Sequence, residues 1–212
     1  QTQARTILGM INEMRTSSTD AWYWASDDQT KVTCNNLKEL QYDYDLEKIA
    51  MERAKEIALS YSHTRPNGED CFTAYDISWN YIGENIAAGY VDATSVNKGW
   101  REDNENYIGQ GHRRNMLDSD FNCVGIGHVY YNGIHYWVEE FANRSSINTT
   151  ETTANDSKQN VSVEILNSNI EEIEVPLEKD DYCVKVGNRT AVKMSSDSNV
   201  IVKVSDHWPS GK

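Results

Sequence analysis

The sequence predicts an α+β sandwich followed by an all-β tail. Three observations predict it: two stretches of helical period before residue 62, an Asn-Gly hairpin within residues 124–142, and apolar residues alternating with polar ones after residue 160. The first helix is expected over residues 4–14, where Ile7, Leu8, Ile11 and Met14 recur at helical spacing. The second is expected over residues 45–61, where Leu46, Ile49, Ala50, Ala54, Ile57, Ala58 and Tyr61 form one broad face and Asp45 is the expected N-cap. It must stop near Ser62 and His63, because Pro66 forbids continuation and Asn67-Gly68 is turn chemistry. Shorter helices are expected over residues 93–103 and 112–117.

The period then changes. Val124 to Tyr131 and Ile134 to Ala142 are β-rich runs joined by Asn132-Gly133, which favours a type I′ turn. Residues 143–160 read NRSSINTTETTANDSKQN, with seven Ser or Thr and four Asn. So little apolar surface argues for a linker. Beyond it, Val161, Val163 and Ile165, then Val184 and Val186, then Val200, Val202 and Val204 alternate with polar residues. The expected division is a domain over residues 1–142, a linker over 143–160, and a small β-rich segment over 161–212. That segment reads either as a small immunoglobulin-like module or as strands that pack on the first domain.

The composition narrows the function. Twenty basic and 33 acidic residues give a net charge of −13, which argues against a sequence-independent grip on nucleic acid or anionic lipid. Apolar runs are only a few residues long, as at Ile86, Ala87 and Ala88, far short of the ~20 that cross a bilayer. Gln1 in place of an initiator Met is compatible with a trimmed precursor and export. Cys34, Cys71, Cys123 and Cys183 contain no C-x-x-C spacing, which argues against a zinc ribbon and leaves both disulfides and free thiols open. Five Asn-x-Ser/Thr sequons, at Asn143, Asn148, Asn155, Asn160 and Asn188, are read as chance products of Ser/Thr/Asn-rich sequence. Trp22, Tyr23 and Trp24 are expected at a core edge, and Arg113 and Arg114 are expected to pair with Asp118 and Asp120.

No zincin helix, nucleophile elbow, Walker loop or dinucleotide fingerprint is present. Three strings stand out instead: Ser62-His63-Thr64-Arg65-Pro66-Asn67-Gly68, Gly83-Glu84-Asn85-Ile86-Ala87 and Gly111-His112-Arg113-Arg114-Asn115-Met116-Leu117. With Trp100 and its acidic followers, Gly125-Ile126-Gly127 and the closing Tyr136-Trp137-Val138-Glu139-Glu140-Phe141, residues 1–142 resemble the CAP superfamily of cysteine-rich secretory, antigen 5 and pathogenesis-related proteins, in its bacterial SCP-like branch.

The resemblance implies a three-layer α-β-α sandwich with a cleft holding two His and two acidic residues. It carries over to His63, Glu84 and His112. The fourth position departs from the pattern, because the third residue after Trp100 is Asp103 rather than Glu, with Glu102 and Glu105 nearby. Two neutral imidazoles with one or two carboxylates suit an open Zn²⁺ site, with His63 and His112 as ligands and affinity falling below about pH 6. The same groups also have structural uses: His63 as a helix-end cap, His112 and Glu84 as hydrogen-bonded supports.

Three functions follow. The first is a secreted bacterial binding module whose cleft takes a metal or a small lipid, sterol or peptide ligand. The second is a metal-assisted hydrolase or peptidase using His63, Glu84 and His112, against which stands the lack of any activating motif. The third is a surface adhesion or host-interaction module that meets a cell-surface protein. An extracellular location is expected in each case.

Overall fold

In a computed structural model, residues 2–151 are described in full. Further on, the described residues are those of the backbone of five strands. The chain opens with helix α1 (Thr2–Thr16), then the short strands β1 (Trp22–Trp24), β2 (Lys31–Thr33) and β3 (Gln41–Tyr42), and helix α2 (Tyr44–Leu59). A 3₁₀ turn (Cys71–Ala74) leads to β4 (Tyr81–Ala88), α3 (Ala93–Arg101), α4 (Gly111–Leu117), β5 (Cys123–Tyr131) and β6 (Ile134–Asn143).

The central sheet runs β3-β5-β6-β4. β6 lies antiparallel to both its neighbours and β3 parallel to β5. The Asn132-Gly133 turn has the two positive φ values a type I′ hairpin needs, 51° and 82°. Helices cover both faces, giving the α-β-α sandwich. On one face Ile7, Ile11, Val96, Trp100 and Met116 from α1, α3 and α4 meet Val124, Ile126, Trp137 and Phe141. On the other, α2 lays Ala50, Ala54 and Ile57 against Ile86, Val129 and Val138.

Helix α2 sits unusually close to β5. A Cβ on Gly125 would lie 2.2 Å from the Glu47 nitrogen, and one on Gly127 would lie 2.2 Å from the Ala50 carbonyl oxygen. Glycine at both positions lets the helix backbone rest directly on the strand.

The structure moves two local expectations. Asp43, not Asp45, caps α2 and accepts from the Asp45 N–H at 2.9 Å. Asp45 falls in the first turn, where a carboxylate favours the helix dipole. The first residues of the Ser/Thr/Asn-rich segment are then fastened to this helix end. Arg144 pairs with Asp43, the Asn148 amide donates to Asp45 Oδ1 at 2.9 Å, and the Tyr44 N–H donates to the Asn148 carbonyl at 2.8 Å. Polar side chains thus order residues that hydrophobicity alone does not.

Trp22, Tyr23 and Trp24 are all half-buried; Tyr23 packs on the core, and Lys31 Nζ lies 3.7 Å from the Trp22 ring centre. Cys34, Cys71 and Cys123 are free thiols. Residues 152–158, the later half of the expected linker, lie outside the described residues. After them β7 (Gln159–Leu166), β8 (Val175–Leu177), β9 (Cys183–Val186), β10 (Arg189–Val192) and β11 (Ile201–Ser205) are all strands, with β8 antiparallel and β11 parallel to β7 and β9 antiparallel to β10.

Candidate functional site: two carboxylate-held histidines

The edge strand β4 organises the site because its successive side chains face opposite layers. Glu84 turns toward α2. There Arg53 Nε donates to Glu84 Oε2 at 2.7 Å, a pair whose side chains are 0% and 1% exposed. Arg53 also donates to Glu56 and to the Ser62 carbonyl, so it ties the helix exit to the strand. Burial alone would raise the Glu84 carboxyl, but hydrogen bonds from His63 and Arg53, with the Arg53 charge, outweigh it and hold it down at about 2.

An ionised Glu84 can only accept. His63 Nδ1 therefore donates to Glu84 Oε1, at 2.7 Å. In the neutral ring Nε2 is left with its lone pair, and the His63 side chain is 56% exposed. Glu140 faces Glu84 across the strand pair, and its carboxyl is pushed well above the usual range by burial and by the Glu84 charge.

Asn85, the next residue, faces the other layer. Its amide donates to Glu139 Oε2 at 2.8 Å and to the His112 carbonyl at 3.2 Å. The Asn115 amide closes this network on Asn85 Oδ1 at 2.8 Å. These bonds seat α4, whose second residue is His112. His112 Nδ1 lies 2.5 Å from Glu102 Oε1, and Glu102 Oε2 accepts from the Arg113 N–H at 3.2 Å. The His112 side chain is 36% exposed.

The structure therefore brings His63 to Glu84 and gives His112 a carboxylate of its own, but that carboxylate is Glu102 rather than Asp103. Glu102 closes α3 with a left-handed backbone, φ 49°, which turns its side chain toward α4. Asp103 points instead at Arg113 and Arg101, with Arg113 Nη1 at 2.7 Å and Arg101 Nε at 3.0 Å from it. Arg113 is buried on Asp103, Asp20 and backbone carbonyls, and Arg114 stacks on Tyr107, so neither takes the partners expected at Asp118 and Asp120. Asp103 stays on the rim of the cleft beside His112.

That cleft is about 490 Å³ in volume. Tyr61, Ile86, Tyr90 and Trp100 give it an apolar wall, and Lys98, Glu102 and Glu105 a charged one. Sequence reasoning named Glu102 only as a neighbour of Asp103 and Asn85 only as part of the string around Glu84, and it missed Arg53. Arg53 had left a signal, since it stands one turn from both Ile49 and Ile57 on the buried stripe of α2. Nothing in the sequence shows that α3 ends one residue before Glu102.

A family model, that of the cysteine-rich secretory protein (CAP) family, matches residues 8–141. The uncharacterized protein YkwD of Bacillus subtilis (strain 168) is 31% identical over 110 residues, 50% of this chain and 40% of that relative. Among solved structures, an extracellular protein containing an SCP domain from Bacillus anthracis is 22% identical with a TM-score of 0.51, over 68% of this chain and 41% of that one. An outer surface protein from Borrelia burgdorferi is also 22% identical, with a TM-score of 0.50, over 68% and 95% of the two chains. The structural likenesses show a shared fold. The aligned region is about two fifths of the Bacillus subtilis and Bacillus anthracis proteins.

Proposed function

The chain belongs to the cysteine-rich secretory protein family, and we propose that it is an extracellular binding module that takes up Zn²⁺ through His63 and His112, of which His112 lines the cleft and His63 does not. One observation carries the reading. Each imidazole is held through Nδ1 by a carboxylate, 2.7 Å at Glu84 and 2.5 Å at Glu102, and each side chain is open to solvent. A carboxylate behind the ring fixes the tautomer, raises the basicity of Nε2 and aims it outward, which is how metal-binding histidines are commonly supported. Glu84 and Glu102 thus act as positioning residues. The donor set suits zinc, a borderline-soft ion that favours imidazole. When bound, such an ion supplies a Lewis-acidic centre with open positions.

The amphipathic cleft beside His112 then selects what approaches the ion. Its apolar aromatic wall and charged rim fit a short peptide or another small amphipathic ligand. The reading is one of binding rather than catalysis. The nearest thiol, Cys71, is 4% exposed and pushed up by burial and by adjacent carboxylates, the reverse of an activated nucleophile. The placement outside the cell is supported by the Bacillus anthracis neighbour, which is described as extracellular, and among the described residues no helix is long and apolar enough to cross a membrane.

Nitrogen-15 NMR of the histidine rings during Zn²⁺ addition tests the proposal. The expected result is a metal-induced shift of His112 Nε2 with Nδ1 still protonated. Saturable zinc binding that leaves the His112 ring unchanged would overturn it.

A further inference from the structure

The segment after α2 folds back and sets a thiol beside His63. The loop over residues 64–70 is closed by the Cys71 N–H on the His63 carbonyl at 2.9 Å, by the Arg65 N–H on the Glu69 carbonyl at 2.8 Å, and by a β-bridge between Thr64 and Asp70. Arg65 pins the loop to α2 through Glu56 at 2.7 Å. Asp70 caps the 3₁₀ turn that begins at Cys71 by accepting from the Phe72 N–H at 2.9 Å. Loop, helix and turn therefore all fix where Cys71 lies.

One donor atom from each of His63, Cys71 and Glu84 lies within 4.8 Å of the other two. Among the described residues this is the one such group of three. A buried free cysteine usually serves as a small apolar side chain. Cys71 instead sits among carboxylates, its thiol bonded to the ionised Glu84 and lying 3.7 Å from Asp70 Oδ1. That is a poor site for an apolar group and a good one for a cation's ligand.

We infer that His63, Cys71 and Glu84 form a thiolate-containing site for a borderline-soft divalent cation of the zinc and cadmium class, one that does not need His112. Thiolate with imidazole selects such ions over magnesium or calcium. Metal lies about 2.0–2.3 Å from each donor in such sites, so the donors must close by roughly an ångström, a movement the exposed His63 ring can supply. Arg53 holds Glu84 Oε2 at 2.7 Å and reaches Oε1 only at 3.3 Å, so the short partner of Oε1 is His63, at 2.7 Å. On binding, the Cys71 proton passes to solvent and the thiolate sulfur donates to the ion, while the His63 Nδ1–H gives up its bond to Glu84 and the ring turns to present the nitrogen that carries the lone pair. Three protein donors leave a fourth position to water. The site rests on the two-histidine reading above only in sharing His63 with it, so the two compete for that ring.

The test is titration of the full chain, under reducing conditions, with Co²⁺ as a spectroscopic stand-in. The expected result is a sulfur-to-cobalt charge-transfer band in the near ultraviolet that saturates, survives His112→Ala, and is lost in Cys71→Ser and His63→Ala. In the unmutated chain, X-ray absorption of the zinc-loaded protein should also show a sulfur bonded to the ion, which keeps the test valid if Cys71→Ser fails to fold. Cobalt binding without the band, a band that survives Cys71→Ser, or zinc bound without sulfur would overturn this site alone. Absence of any metal binding would overturn both this site and the cleft reading.

Discussion

Glu102 Oε1 lies 2.5 Å from His112 Nδ1, and it reaches the ring because Glu102 ends α3 in the left-handed conformation. The carboxylate orients the imidazole without being needed to pack the core. Glu102→Gln should therefore leave the fold intact and lower zinc affinity about 10- to 100-fold, the usual cost of losing a ligand's outer partner. Calorimetric titration checks this, and unchanged affinity would contradict the positioning role.

Arg53 and Glu84 form a salt bridge with both side chains out of contact with water. Removing one partner strands a buried charge, so Arg53→Met should destabilise the chain by about 3–5 kcal/mol. Urea unfolding measures it. A cost below about 1 kcal/mol would mean that Glu84 takes up a proton or a new partner with little penalty.

Glu139 is fully buried at the middle of β6, and burial, offset only in part by the Asn85 amide, pushes its carboxyl up to about 8. Between the ordinary carboxyl range and that value, the native state holds a proton that the unfolded chain has released, so stability falls as pH rises. The fall from about pH 5 to about pH 8 is on the order of a few kcal/mol. Glu140 acts in the same direction, so Glu139→Gln should flatten the slope without abolishing it. Equal slopes for the two proteins, from unfolding curves across this range, would show that Glu139 is ionised in the fold.

The approach of α2 to β5 at Gly127 leaves no room for a side chain, because the obstacle is the helix backbone at Ala50. Gly127→Ala should cost about 3 kcal/mol or more, at the upper end of overpacking effects. Thermal melting reads this directly. Gly111→Ala serves as the control, since nothing lies within 4 Å of a Cβ there.

How far the sequence carries depends on which interactions are local. The Asn132-Gly133 turn and the apolar stripe of α2 depend on neighbours in sequence, and both were legible. The three strings also singled out His63, Glu84 and His112, from which the candidate site is built. What was not legible depends on where an element stops or on contacts across the fold. Helix α3 ends at Arg101, two residues before the expected end, and Glu102 at its cap takes the place beside His112 that the family pattern gave to Asp103, while two residues at the start of α2 exchange Asp45 for Asp43. The ordering of Asn148 rests on Asp45, which lies 103 residues away. Cys71 becomes a neighbour of Glu84 only when the loop after α2 closes and β4 lies beside it.

The most direct test of the central claim is calorimetric titration of the metal-free chain with Zn²⁺ beside the double variant His63→Ala, His112→Ala, with folding of both checked by circular dichroism. Two carboxylate-held imidazoles predict saturable binding in the unmutated chain and none in the variant. Binding of equal affinity in both, or no binding by the folded unmutated chain, would contradict it.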